Sequence, residues 1–180
     1  LGNNIYKYNQ FDENNKFSIN NFKNALYSIK EDKISLILNF PNNPTGYTPL
    51  DNELSQLVEV INIFAKENPN KQLIIVSDDA YFGLFFEDNH KTPTLSATYK
   101  LTENSNCLIV KLDGITKEYY SWGLRVGFIT YYTKEESLRQ KLLEKTQGFL
   151  RSTTSSPSNL SQQIAIRLLD NKESIKEKEE

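Results

Sequence analysis

Apolar residues in this chain gather into short, nearly unbroken runs, separated by longer segments in which they recur every three or four positions. The runs are Ile34 to Phe40, Leu73 to Ser77, Leu108 to Leu112 and Phe128 to Tyr132. Short stretches rich in Leu, Ile and Val, each stopped by polar or turn-forming groups, read as buried strands. Between the first two runs, Leu54, Leu57, Val58, Ile61, Phe64 and Ala65 fall on one face of a helix. Thr48-Pro49-Leu50-Asp51 supplies its start, with Thr48 as N-cap, proline at the first helical position and an acid at the third. Strand, helix and strand within about 45 residues make a βαβ crossover, which lays the two strands parallel.

The same spacing predicts a helix capped by Ser18 with Phe22, Ala25, Leu26 and Ile29 on one face. Residues 1–17 are irregular or extended, with a turn at Asp12-Glu13-Asn14-Asn15. Residues 88–106, which include His90 and Pro93, form a polar connection with a short helix around Thr94 to Tyr99. Thr133-Lys134-Glu135-Glu136 is a second capping box, ahead of a helix whose apolar face holds Leu138, Leu142 and Leu143. After a Ser/Thr-rich stretch from Arg151 to Asn159, helical spacing resumes at Leu160, Ile164, Ala165 and Leu168. There is no internal repeat and no separating linker, so residues 1–180 are expected to form a single α/β domain with a mainly parallel sheet.

Composition narrows the picture. A chain of 180 residues can bury one sizeable core and is too short for two ordinary domains. A net charge of -2 and a pI near 5.6 give no basic field for nucleic acid. The lone Cys107 excludes an internal disulfide and fits a reducing, cytoplasmic compartment; with a single His90 it leaves no usual zinc ligand set. No apolar run approaches the roughly 18 residues of a membrane span, and no leader is evident. The absence of methionine, and an end inside a charged, helix-like run at 172–180, lead us to expect a fragment. Mean hydropathy is low at -0.56, yet 10 Tyr and 10 Phe supply ample material for a core.

Chemistry gathers where the strands stop. Three apolar runs lead to Asn43, Asp78 and Lys117, and parallel strands bring such ends to one sheet edge, where open α/β sheets place ligands. Asp78, directly after a buried strand, is costly to desolvate unless a cation such as a pyridinium nitrogen faces it. Lys117 can form an imine through its free amine, and Arg125 can hold a phosphate by paired hydrogen bonds. Each residue alone also has a bland reading. Asn43-Pro44-Thr45-Gly46 is open as a tight turn, Asp78 as a helix cap, Tyr81 as a core tyrosine and Arg125 as one half of a surface ion pair. Trp122 reads as packing rather than chemistry.

Together, three motifs carry a resemblance: Pro41-Asn42-Asn43-Pro44-Thr45-Gly46, then Asp78-Asp79-Ala80-Tyr81, then Thr116-Lys117 with Gly123-Leu124-Arg125-Val126-Gly127. In order and separation they resemble the class I and II aminotransferases, the fold-type I enzymes that use pyridoxal phosphate. The resemblance implies a three-layer α/β/α arrangement, part of that family's cofactor-binding large domain. It implies that Lys117 forms the imine with pyridoxal 5'-phosphate and shuttles a proton. It also implies that Asp78 pairs with the pyridine nitrogen, Asn43 and Tyr81 bond the ring 3-oxygen, and Arg125 holds the phosphate. Members often carry a hydroxyl three residues before the lysine; Gly114 stands there, and Thr116 is the candidate substitute.

The resemblance further implies amino acid and 2-oxo acid substrates and a homodimer, with Arg151 to Asn159 approaching a partner's site. The family's upstream phosphate loop and its downstream small domain have no counterpart here, so the fragment alone is expected to transaminate poorly. Two alternatives stay open, a ligand-sensing domain of a regulator and another pyridoxal phosphate reaction such as β-elimination. No phosphate-loop nucleotidase or serine hydrolase motif occurs.

Overall fold

The four apolar runs become the four strands of one sheet, in a computed structural model that describes residues 4–84, 94–173 and 176. Along the chain the elements are α1 (Ile19–Ser28), β1 (Lys33–Asn39), α2 (Asp51–Glu67), β2 (Gln72–Asp78) and α3 (Thr94–Thr98). A 3-10 turn (Tyr99–Glu103) follows, then β3 (Cys107–Gly114), α4 (Ile115–Glu118), β4 (Gly127–Tyr132), α5 (Glu136–Thr153) and α6 (Asn159–Asp170). Strand order is β1-β2-β3-β4; β1, β2 and β3 are parallel, and β4 is antiparallel to β3. The register aligns Asn39 with Asp78 and Asp78 with Leu112, so the first three strands release the chain at one edge. The connection from Ile115 to Val126 stays at that edge, and β4 therefore runs straight back along β3.

All the inward residues expected on α2 are buried, and they pack with Ile34, Leu38, Leu73, Ile75 and Ile109 on one face of the sheet. Burial of the apolar stripe of α2 drives the packing on that face. β4 shows that helices lie on both faces. Tyr132 meets Tyr99 of the 3-10 turn edge to face, whereas its neighbour Tyr131, on the opposite side of the strand, bonds Thr146 of α5 at 2.6 Å. Cover on this second face is incomplete, and Ile37 of β1 is 70% exposed there. Among the described residues no helix is long and apolar enough to cross a membrane.

Several boundaries differ from expectation. Helix α2 begins at Asp51 with Leu50 in the cap position, two residues beyond Thr48. The Glu53 carboxylate takes over the capping, accepting from the Leu50 N–H at 2.8 Å and from the Tyr47 hydroxyl at 2.6 Å. Thr133 accepts from Glu135 N–H, and α5 starts later than the motif implied. Ser18 does cap α1, accepting from Asn21 N–H. Leu160 is exposed on the outer side of α6, and Trp122, expected in the packing, is 57% exposed and leans on Tyr120. His90 and Pro93 lie outside the described residues.

Candidate functional site

Asn39, the last residue of β1, organises the loop that follows. Its Oδ1 accepts from Asn43 N–H at 3.0 Å and from Asn42 Nδ2 at 3.4 Å, while its Nδ2 donates to the Asp78 carbonyl at 3.4 Å. One amide therefore stitches the Pro41–Gly46 turn to the end of β2. The turn is closed by Gly46 N–H donating to Asn42 O at 2.7 Å and by the Thr45 hydroxyl donating to Asn42 Oδ1 at 2.7 Å. Gly46 sits at φ +71°, where a side chain would strain the backbone. So held, Asn43 donates from Nδ2 to the Tyr81 hydroxyl at 3.2 Å.

Tyr81 rides on a turn just past β2, in which Phe82 N–H donates to Asp79 O at 2.9 Å. Asp78 is half-buried, and its Oδ1 accepts from Ala80 N–H at 3.2 Å. Lys117, half-buried on α4, brings its Nζ to 5.2 Å from the centre of the Tyr81 ring, a cation–π distance. Exits from three strands thus converge: Asn43 after β1, Asp78 and Tyr81 at β2, Lys117 after β3. Thr116 is half-buried beside Lys117 on the same short helix. Arg125 stands apart, exposed at φ +53°, with Nη1 donating to Trp122 O at 3.4 Å.

The desolvation problem assigned to Asp78 from sequence belongs to Asp79. Only 1% of Asp79 is exposed. Its Oδ1 accepts from the Ser77 hydroxyl at 3.1 Å; among the described residues its Oδ2 has no hydrogen bond, and Lys111 Nζ lies 3.8 Å away. That ammonium is closer to Asp113, at 2.7 Å. Burial pushes the Asp79 carboxyl up to about 6, against the pull of Lys111 and Ser77. The signal was present in the alternation, because Leu73, Ile75, Ser77 and Asp79 share the buried face of β2 and Asp78 does not.

Residues 2–180 match the family described as Aminotransferase class I and II, and the chain belongs to that family. Over 156 residues it is 30% identical to a probable aspartate/prephenate aminotransferase of Rickettsia conorii, covering 84% of this chain and 34% of that protein. It therefore spans about a third of the length of the curated relatives it matches. Among solved structures, an aminotransferase from Anaerococcus prevotii superposes with a TM-score of 0.81 at 24% identity, over 96% of this chain and 42% of that one. An aromatic-amino-acid aminotransferase from Burkholderia pseudomallei, covalently bound to pyridoxal phosphate, gives 0.73 at 22% identity, over 96% and 40%. These likenesses identify the fold as that of the fold-type I aminotransferase large domain, in part.

Proposed function

We propose that the chain is the cofactor-binding core of a pyridoxal phosphate-dependent aminotransferase that moves an amino group between an amino acid and a 2-oxo acid. The observation that supports this most is the convergence of Asn43, Tyr81 and Lys117 from three different strand exits, with Asp78 on the middle one. An amine beside a hydrogen-bonded amide and phenol, at an edge that also carries a carboxylate, matches what an aromatic aldehyde with a ring nitrogen and a phenolic oxygen needs. When bound, pyridoxal phosphate supplies the electron sink that makes the α-carbon of an amino acid acidic.

Lys117 would hold the aldehyde through its side-chain amine, and that amine would carry the proton to and from the α-carbon of the amino acid. Asp78 would hold the ring nitrogen in its protonated form. Asn43 and Tyr81 would hold the ring 3-oxygen by hydrogen bonds. Arg125 and Thr116 would hold the phosphate; a turn of the exposed Arg125 side chain away from Trp122 O would free its guanidinium for that purpose. Residues 1–180 act as one domain of the large-domain type, about a third of the length of the curated relatives. The whole protein works as a homodimer in a reducing, cytoplasmic compartment, which fits the free and buried Cys107.

The test is an absorbance titration with pyridoxal phosphate on this chain and on Lys117→Ala, followed by borohydride reduction and peptide mapping. The expected result is a visible band and a reduced label on the peptide carrying Lys117, both lost in the variant. Labelling spread over surface lysines, unchanged in Lys117→Ala, would rule the reading out.

A further inference from the structure

Directly behind the candidate site lies a charge cluster, buried at Asp79 and partly exposed at Lys111 and Asp113, that none of the roles above employs. Asp79, Lys111 and Asp113 put two carboxylates around one ammonium on the α2 side of the sheet. Lys111 is committed to Asp113 at 2.7 Å, which leaves Asp79 with the longer, 3.8 Å contact and a buried Oδ2 that has no hydrogen bond among the described residues. Leaving a buried carboxylate oxygen unbonded is costly, and native structures retain such groups rarely. Asp79 is also where the chain leaves the sheet. Its N–H donates to Leu112 O at 3.0 Å, its carbonyl closes the turn by accepting from Phe82 N–H at 2.9 Å, and its neighbours are Asp78 and the turn bearing Tyr81.

Resting on the reading that Asp78 and Tyr81 hold pyridoxal phosphate, we propose that Asp79 is a positioning residue: its ionised side chain, shared with Lys111 and Asp113, sets the exit angle of β2 and so the placement of Asp78 and Tyr81 on the cofactor ring. Side chains of β2 alternate, so Asp79 pulls to one side of the strand while Asp78 points to the other. Drawing the Asp79 carboxylate toward Lys111 turns the two peptide units on either side of Asp79, and with them Asp78 and the Ala80 N–H that donates to it. Among the described residues, the groups facing Asp79 are Lys111 and Asp113 from β3, Ser77 from its own strand and the Thr94 hydroxyl from α3; Tyr132 of β4 faces Lys111. Protonating Asp79 releases Lys111 wholly to Asp113 and slackens that pull. Burial already brings the titration to about 6, within reach of physiological change.

The experiment uses this chain labelled with carbon-13 at aspartate carboxyls and tyrosine rings, titrated from pH 4.5 to 8 alongside Asp79→Asn and Lys111→Met. The carboxyl resonance missing from Asp79→Asn belongs to Asp79. The expected result is a midpoint near 6 for that resonance, followed with the same midpoint by the Asp78 and Tyr81 resonances. Asp79→Asn should flatten both responses, and Lys111→Met should move all three midpoints upward together. Asp78 and Tyr81 signals that ignore the Asp79 titration would overturn the proposal. If Asp79→Asn does not fold, the common shift in Lys111→Met decides instead, with Asp79 then assigned from sequential connectivities.

A second readout is the affinity for pyridoxal phosphate across the same range. The cofactor's own phosphate titrates near 6, so the quantity is the difference between wild type and Asp79→Asn. Wild type should bind about tenfold more tightly at pH 8 and approach the variant at pH 5, about the lower end of the loss seen when the partners that orient metal-ligating side chains are removed. Equal affinities at both pH values would overturn the positioning role. Absence of binding by wild type at every pH would instead count against the function proposed above, while the resonance coupling still judges Asp79.

Discussion

With its carboxyl pushed up from 3.8 to about 6, chiefly by burial, Asp79 makes folding less favourable as pH rises. Below 3.8 the group is protonated in the folded and unfolded chain alike and contributes no penalty. Between 3.8 and about 6 the unfolded chain releases a proton that the folded chain keeps, so stability falls; above 6 the penalty is complete. A shift of this size corresponds to about 3 kcal/mol. Lys111 does not cancel it in this range. Burial works to lower the Lys111 ammonium, but the hydrogen bond and charge of Asp113, with the charge of Asp79, outweigh burial and hold it charged. Asp79→Asn should therefore be more stable than wild type at pH 8 by about 1 to 3 kcal/mol, with the gain gone by pH 4, as read from urea unfolding midpoints at the two pH values. A variant less stable at pH 8 would mean that the pairing with Lys111 outweighs the burial of the charge. A residue that weakens the fold and sits between two candidate cofactor-binding positions is what a stability cost retained for function looks like.

At the scale of elements, the buried face of helix α2 was legible because six apolar side chains at helical spacing admit only one buried face. The strands were legible for a similar reason, since short apolar runs bounded by polar or turn-forming groups read as strands. Their ends were harder, because capping is decided by side chains that compete locally: Glu53 reaches Leu50 N–H and displaces Thr48 from the role its sequence position offered. The direction of β4 was not legible, since nothing in Gly127–Tyr132 distinguishes a parallel from an antiparallel neighbour. Its reason is geometric and appears in the glycines of Gly123-Leu124-Arg125-Val126-Gly127. At Gly127 an added Cβ would stand 3.1 Å from the Asp113 carbonyl oxygen, and at Gly123 it would meet nothing within 4 Å. Replacing glycine by alanine in an unstrained site gains about 0.4 to 1 kcal/mol through the unfolded chain. Crowding β3, which is pinned between β2 and β4 and cannot yield, costs about 1 to 3 kcal/mol. Thermal unfolding should thus show Gly123→Ala at or slightly above wild type and Gly127→Ala below it, and the reverse order would place the close approach elsewhere in the motif.

For the whole molecule, the candidate site was legible as a set of exits, because parallel strands deliver their carboxyl ends to one edge whatever lies between them. Asn43, Asp78, Tyr81 and Lys117 could be assigned to that edge from order alone. The Asn39 stitch and the Asp79 cluster could not, since both depend on register across strands far apart in sequence: Asn39 lies opposite Asp78, and Lys111 opposite Ser77. The same register explains why the apolar pattern overstates burial. Strands built for cover on both faces carry near-continuous apolar runs, and in β1 Ile34 and Leu38 are buried against α2 while Ile37 faces outward. Ile75, fully buried on the α2 side of β2, and Ile37, 70% exposed on the other side of β1, are chemically identical residues of adjacent parallel strands. Because Ile75 lies in the core that α2 covers, Ile75→Ala should cost about 2 to 5 kcal/mol through lost transfer energy and a cavity. Ile37→Ala should stay within about 0.5 kcal/mol of wild type. Urea denaturation of the two variants measures the contrast directly. Comparable losses at both positions would mean that the outer face of β1 is covered in solution, and that the sheet of this chain is buried on both sides.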